Sequence, residues 1–331
     1  LCRDWSSDVC SSDLQEGAPL HVRVFDNASG DDTAAVVAAL AAHDPRLRYH
    51  CHPDNIGGLA NFEFGLRSVD TPLFSILSDD DYLLPGFYRH ALDDLDAHPA
   101  AMFWAGITLN VDEQGKIWDA RVDRWARDGL FVPPQGLMPM MRGMAPVWTG
   151  IVFRREILDQ VGFPDPEVLG PADFEFILRA ASRYPFILRK HPAAVFTLNN
   201  ASFSATQPLS SFWPGWQKMF RNVESNGALS VDSKRQVLQA LHADARRMLF
   251  RRAANALSQG RHEYSYAAAE ALRIEYGRGA RASVLRVLTD VLRRFPFLQR
   301  IYTGLYRRME RRLVQSRSDL EPRFGRLIKR A

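Results

Sequence analysis

The sequence predicts an α/β fold, a parallel sheet covered by helices, followed by a C-terminal α-helical extension. Three observations lead there. Short strand patterns and helical patterns alternate from residue 20 to about residue 98. The strands are continuously apolar, as strands buried on both faces are. Beyond about residue 210 only helical patterns remain, and arginine predominates among their charges.

The bulk numbers bound the rest. A chain of 331 residues, 46% hydrophobic, can bury one large core with an appendage. Its longest apolar run, residues 34 to 42, falls well short of the roughly 18 residues that a bilayer crossing needs. Of three cysteines, two stand within the first ten residues, so neither a disulfide framework nor a paired-cysteine zinc site is open to the body. A reducing cytoplasm is the expected compartment. The net charge of +4 hides an asymmetry: residues 231 to 331 carry 23 Lys+Arg against 9 Asp+Glu, a net of +14. The remainder is acidic. An anionic surface is therefore expected as partner for the tail, and a carboxylate-lined site for the body.

The elements follow in order. Residues 1 to 14, LCRDWSSDVCSSDL, have neither periodicity nor a signal-peptide pattern, resemble translated sequencing-adapter DNA, and are expected to be extraneous. Leu20 to Phe25 form the first strand, closed at Asp26. A polar turn leads to an alanine-rich helix from Thr33 that Asp31 or Asp32 can cap. LRYHC (47 to 51) is a second strand, PDNIGG (53 to 58) a break, and LANFEFGLRSV a helix. PLFSIL (72 to 77) is a third strand, followed by Asp79, Asp80 and Asp81, and Pro85 opens the next helix. Residues 101 to 111 read as a strand, 118 to 141 as an irregular cover, and 147 to 163 as strand then helix. GPADFEFILRAASRY is a helix with Asp173 in its first turn, where the helix dipole favours a carboxylate. PFILRK and AAVFTLNN look like two closing strands.

In open α/β sheets ligands bind beyond the carboxyl ends of the strands. Asp26 and the run Asp79 to Asp81 both fall there, and two acidic clusters facing one crevice call for a positive partner. A divalent cation fits, since hard cations take carboxylate oxygens and bridge them to phosphates.

Taken in sequence, DNASGDDT, DNIGGLANFEFGL, ILSDDDYLLPGF, WTGIVFRREILDQVGF and ADFEFILR resemble the successive motifs of the family 2 glycosyltransferases over residues 20 to 205. The resemblance implies the GT-A fold, a doubly wound mixed sheet, here lacking its first strand. It also implies an inverting transfer of a sugar from a nucleoside diphosphate to an acceptor hydroxyl with Mg2+ or Mn2+. Residue by residue it implies donor contacts from Asp26, Asn27, Asn55, Gly57 and Asp79, with Ser29 and Gly58 shaping the turns. Asp80 and Asp81 would serve the metal, Asp81 alternatively as its support, and Asp79 the ribose or a metal-bound water. Trp148, Thr149 and Gly150 would contact acceptor or donor sugar, and Asp173 would be the catalytic base, with Glu175 as fallback.

The pattern is not complete. Ala172 stands where the family has Glu, and Asn199 and Asn200 stand where relatives often carry a metal-assisting histidine. The family's first strand and helix are missing, each lost backbone partner costing about 1 to 3 kcal/mol, so the chain is expected to be unstable or inactive. The expected domains are a truncated GT-A unit at 15 to 208 and a basic helical extension at 209 to 331. In the extension, Val284, Leu288, Val291 and Phe295 form one apolar stripe, and Leu298, Tyr302, Leu305, Met309 and Leu313 another, with arginines alongside. Such helices can lie in an anionic headgroup layer, making a peripheral location on the inner membrane face an expectation beside plain packing. Nucleic acid is not expected, because no recognised binding motif is present. The implied partners are a nucleotide-sugar donor and a saccharide or lipid-linked saccharide acceptor, in cell-surface polysaccharide or lipopolysaccharide synthesis. The competing readings are a metal-dependent phosphohydrolase and a nucleotide-sugar-binding protein whose chemistry has lapsed.

Overall fold

The computed structural model describes residues 19–198, 208–277, 279–315 and 319–328. The alternation expected from sequence is present. β1 (Val22–Asp26), α1 (Thr33–Ala41), β2 (Leu47–Cys51) and α2 (Gly58–Arg67) follow one another, with β1 and β2 parallel and in register from Val22↔Leu47 to Asp26↔Cys51. Asp31, not Asp32, closes the turn into α1, its Oδ1 accepting from the N–H and hydroxyl of Thr33.

The expected third strand is much shorter. Only Leu73–Phe74 (β3) pairs, and it pairs antiparallel with β8 (Ile151–Arg154) instead of joining β1 and β2. Beyond Phe74 the chain leaves the ladder, and the Ser75 hydroxyl meets that of Tyr88 at 2.8 Å. The described strands therefore form two sheets: β1–β2, and a mixed seven-stranded sheet in the order β3, β8, β5 (Phe103–Asp112), β9 (Phe186–Leu198), β4 (Tyr82–Leu83). β6 (Ile117–Ala120) adds to β5 and β7 (Gly129–Phe131) to β9, so two short strands lie inside the stretch expected to be irregular. The two expected closing strands are one continuous β9, which stays paired with β5 by a register shift around Ile107↔Pro192.

β5 is the axis of the molecule. All its residues but Asp112 are buried, and at its start Phe103 stacks on Phe186 with ring centres 4.7 Å apart. α3 (Phe87–Ala97) covers one face with Phe87, Ala91 and Leu95. The other face is covered by α5 (Ala172–Ala181) and by α6 (Leu209–Ser225), which buries Phe212, Trp213, Trp216, Met219, Phe220 and Val223. α4 (Glu156–Gln160) is a short connector.

The same apolar cluster continues into the C-terminal helices, so body and extension share one core. α7 (Val231–Ser258) is its spine, burying Val237, Leu241, Ala245, Leu249 and Ala253 at four-residue intervals. Its start is capped by Ser230, whose hydroxyl accepts from the Ser233 N–H at 3.1 Å. α8 (His262–Tyr276), α9 (Ala280–Arg294) and α10 (Leu298–Gln315) pack along it. α11 (Leu320–Ile328) returns to β6, and Arg323 makes a two-pronged ion pair with Asp123 at 2.7 Å on each arm. Asn199 and Asn200 lie outside the described residues, as do residues 1 to 14 and the side chain of Leu313.

Candidate functional site

β5 and β9 run parallel, and their carboxyl ends open where β4, the turn before β8 and the start of α5 converge. The acidic run reaches this rim. Its three carboxylates face three environments: Asp79 is exposed, Asp80 partly buried, and Asp81 only 3% exposed. Asp81 turns inward, Oδ2 accepting from the Thr149 hydroxyl at 2.6 Å and Oδ1 from the Thr197 N–H at 2.9 Å. Burial pushes its carboxyl up to about 7 against the pull of those two donors. Asp81 thus ties the acidic run to β9 and to the turn before β8. Burial also raises Asp80, with the neighbouring charge of Asp79 adding to it.

That turn is the hinge of the site. The short 3-10 segment Trp148–Gly150 sends Thr149 to Asp81 and Trp148 to α5, the indole N–H donating to the Asp173 carbonyl at 3.2 Å. Gly150 must lack a side chain, since a Cβ there would sit 2.2 Å from the Thr108 hydroxyl. Trp148 also touches Phe62 of α2 edge-on, with centroids 6.4 Å apart. Through this aromatic contact the turn meets the β1–β2 unit.

Asp173 occupies the first turn of α5, its Oδ1 accepting from the Phe174 N–H at 2.7 Å. Burial raises its carboxyl above the usual range, while the Phe174 N–H and the charge of Arg121 oppose the rise. Glu175, the fallback base, is committed elsewhere. It is 1% exposed, and its two oxygens accept from Arg179 at 3.0 Å each, with Asn222 donating to Oε1 at 3.1 Å.

On the β1 side the turns are knitted together. Asp26, 8% exposed, accepts from the N–H and hydroxyl of Ser29 and from the Tyr49 hydroxyl at 2.6 to 2.9 Å. Those bonds, Ser29 foremost, hold its carboxyl down to about 2. The Asn27 amide donates to Asn55 Oδ1 at 3.0 Å and accepts from the Ile56 N–H, and Asn55 also accepts from the Gly57 N–H. Gly57 has φ +87°, with open space where a side chain would point, as does Gly58. The backbone can therefore be approached closely at that turn.

Three contributors were not singled out by sequence reasoning. Tyr49, opposite Val24, reaches Asp26 with its hydroxyl because β2 lies beside β1, a pairing that spacing alone does not reveal. Thr197 acts through its backbone. Arg121 lies in the stretch read as a cover, and no motif marks it. It is partly buried, and its charge acts on Asp173.

Among the described residues no group of three or more His, Cys, Asp or Glu gathers with metal-holding geometry. The oxygens of Asp79 and Asp80 suit a hard cation whose remaining positions are filled by ligand phosphates and water, the way Mg2+ is commonly held. The added negative charge that raises Asp80 is what such an ion offsets. The residues fit the group in that shared sense.

Comparison with known proteins agrees with this architecture. Residues 9–162 match the family model described as glycosyl transferase family 2. Among solved structures, S. aureus TarS 1-349 in complex with UDP-GlcNAc superposes with a TM-score of 0.60 at 13% identity, covering 93% of this chain and 86% of that one. The same protein in complex with UDP gives a TM-score of 0.59 at 15% identity, with the same shares covered. Full S. aureus TarS gives 0.57 at 14% identity, covering 92% of this chain and 51% of that one. At these identities the likeness is one of fold. No curated protein matches the chain in sequence.

Proposed function

We propose, from the match of residues 9–162 to the glycosyl transferase family 2 model and from the fold shared with S. aureus TarS, that the protein transfers a sugar from a nucleoside diphosphate to an acceptor hydroxyl with inversion. The observation that carries this reading is the Trp148–Gly150 turn, which binds the acidic run and the start of α5 into one rim. A nucleotide sugar is the donor, in keeping with the UDP-GlcNAc and UDP held by the S. aureus TarS structures. Asp26, Asn27, Asn55 and Gly57 form the wall for base and ribose, with Asp79 at the ribose or a metal-bound water.

Asp173 is the base. As the acceptor oxygen forms its bond to the anomeric carbon, the bond to the diphosphate breaks and the hydroxyl proton passes to the Asp173 carboxylate. The charge appearing on the diphosphate needs a positive neighbour. Mg2+ or Mn2+ held at Asp80 would supply it. Asp81 supports that position through Thr149 and Thr197, and Trp148 and Gly150 shape the floor beneath the sugars. The acceptor is a saccharide or lipid-linked saccharide of the cell surface.

Asp173→Asn tests the assignment, because the amide keeps the shape and loses the proton acceptor. Turnover of a screened nucleotide-sugar donor should fall by about 10²- to 10⁴-fold while donor binding, read by thermal shift with Mn2+, stays within about twofold. Full activity in that variant would remove Asp173 from the reaction.

A further inference from the structure

α9 and α10 each present two faces. Inward, α9 buries Leu285, Thr289 and Leu292, and the Thr289 hydroxyl meets that of Ser265 at 2.9 Å. α10 is pinned to the end of α7, with the Tyr302 hydroxyl donating to the Ala254 carbonyl at 3.0 Å, Thr303 to Ser258 at 2.8 Å and Gln299 to Leu257 at 2.6 Å. These contacts satisfy the packing of both helices. Leu288, Leu298 and Tyr302, which the sequence placed on apolar stripes, lie partly buried against the core.

A second set of apolar residues remains outside. Val287, Phe297, Ile301, Leu305 and Met309 are 50 to 69% exposed. Val284, Val291 and Phe295 join them, and the rings of Phe295 and Phe297 meet at the corner between the helices with centroids 6.1 Å apart. Val284, Val287 and Val291 follow the three- and four-residue spacing of one flank of α9, and Ile301, Leu305 and Met309 that of one flank of α10. Scattered exposed leucines need no explanation, but a run this continuous does.

The charge around the run identifies its partner. Residues 280 to 315 hold nine arginines against Asp290 and Glu310, a net of +7. On α9, Arg286 acts on Glu270 of α8, Arg293 meets the Tyr266 hydroxyl, and Arg294 lies 5.9 Å from the Phe295 ring centroid. On α10, Arg300, Arg307, Arg308, Arg311 and Arg312 are exposed. A second copy of the chain would bring two such cationic faces together, and an apolar protein partner would leave the arginines uncompensated. Apolar side chains bordered by exposed arginines and a net charge of +7 match the boundary between acyl chains and anionic headgroups. No helix among the described residues is long and apolar enough to cross a membrane, so contact is at the surface.

We infer that the outer face of α9 and α10, centred on Phe297, Ile301 and Leu305, is a docking surface for anionic lipid bilayers. Docking does not depend on the transfer reaction; only its use in reaching a lipid-linked acceptor rests on that reading.

Vesicle flotation of the full chain tests it, using phosphatidylcholine alone and phosphatidylcholine with one part in three phosphatidylglycerol. The chain should float with the anionic vesicles at about 0.1 M salt and be released at about 1 M. Two sets of surface changes should each weaken flotation at least about tenfold without altering the melting temperature: Phe297→Ser with Ile301→Ser and Leu305→Ser, and Arg300→Gln with Arg307→Gln, Arg308→Gln and Arg311→Gln. The Asp173→Asn chain should float like the parent, which separates docking from catalysis. Equal flotation with neutral vesicles, absence of flotation, or indifference to either set overturns the inference. So does a dimer, seen by sedimentation, that the serine set dissociates while flotation persists.

Discussion

At the scale of the residue, Asp79, Asp80 and Asp81 show how one sequence signal divides into several physical roles. Crowded anions call for a positive partner, and the gathering of the run at one rim of the sheet was legible. Which carboxylate turns inward was not, because it depends on where Thr149 and Thr197 arrive, 68 and 116 residues along the chain. Asp173 was legible as a first-turn carboxylate, whereas Arg121 was hidden in a stretch whose short strands no periodicity revealed. Arg121 yields a measurable expectation. Its charge opposes the rise that burial imposes on Asp173, so Arg121→Gln lets the Asp173 pKa climb further. A base must be deprotonated to act. The acid limb of the kcat/KM profile of Arg121→Gln should therefore move to higher pH, with activity recovering as pH rises; an unmoved limb would mean that the two groups do not communicate.

At the scale of the element, α6 carries a constraint that its composition conceals. Gly215 and Pro214 in the middle of a helix look like breakers, yet Leu209–Ser225 is one continuous helix. The glycine is there for proximity: a Cβ at residue 215 would lie 1.8 Å from the Val168 carbonyl oxygen, a backbone atom that cannot swing away. Gly215→Ala should destabilise the protein by roughly 1 to 3 kcal/mol in denaturant titration, despite the better helix propensity of alanine. A stabilised variant would show that the approach is not close. The same scale explains the misjudged strands. PLFSIL has a strand's composition but finds a partner for only two residues, and PFILRK with AAVFTLNN merges into β9 because pairing with β5 continues across Pro192. Pairing is a tertiary property, and composition carries little of it.

At the scale of the whole molecule, the order of elements and the helical nature of the C-terminal third were legible, since both follow from hydrophobic period and charge. The sharing of a single core between body and extension was not, because it requires Trp213, Trp216 and Phe220 to meet α5, α7 and the sheet face together. One sign was available: α6 is rich in aromatic residues, unlike the arginine-dominated stretches after it.

The clasp between Arg323 and Asp123 links the far end of the chain to the 3-10 segment Arg121–Arg124. Asp123 is two residues from Arg121, whose charge opposes the rise of Asp173, so the clasp ties a helix 200 residues along the chain to the segment that faces Asp173. Arg323→Gln should accordingly blunt turnover and shift its pH optimum while global melting changes little. If that variant worked at full speed, the helix Leu320–Ile328 would be mere packaging.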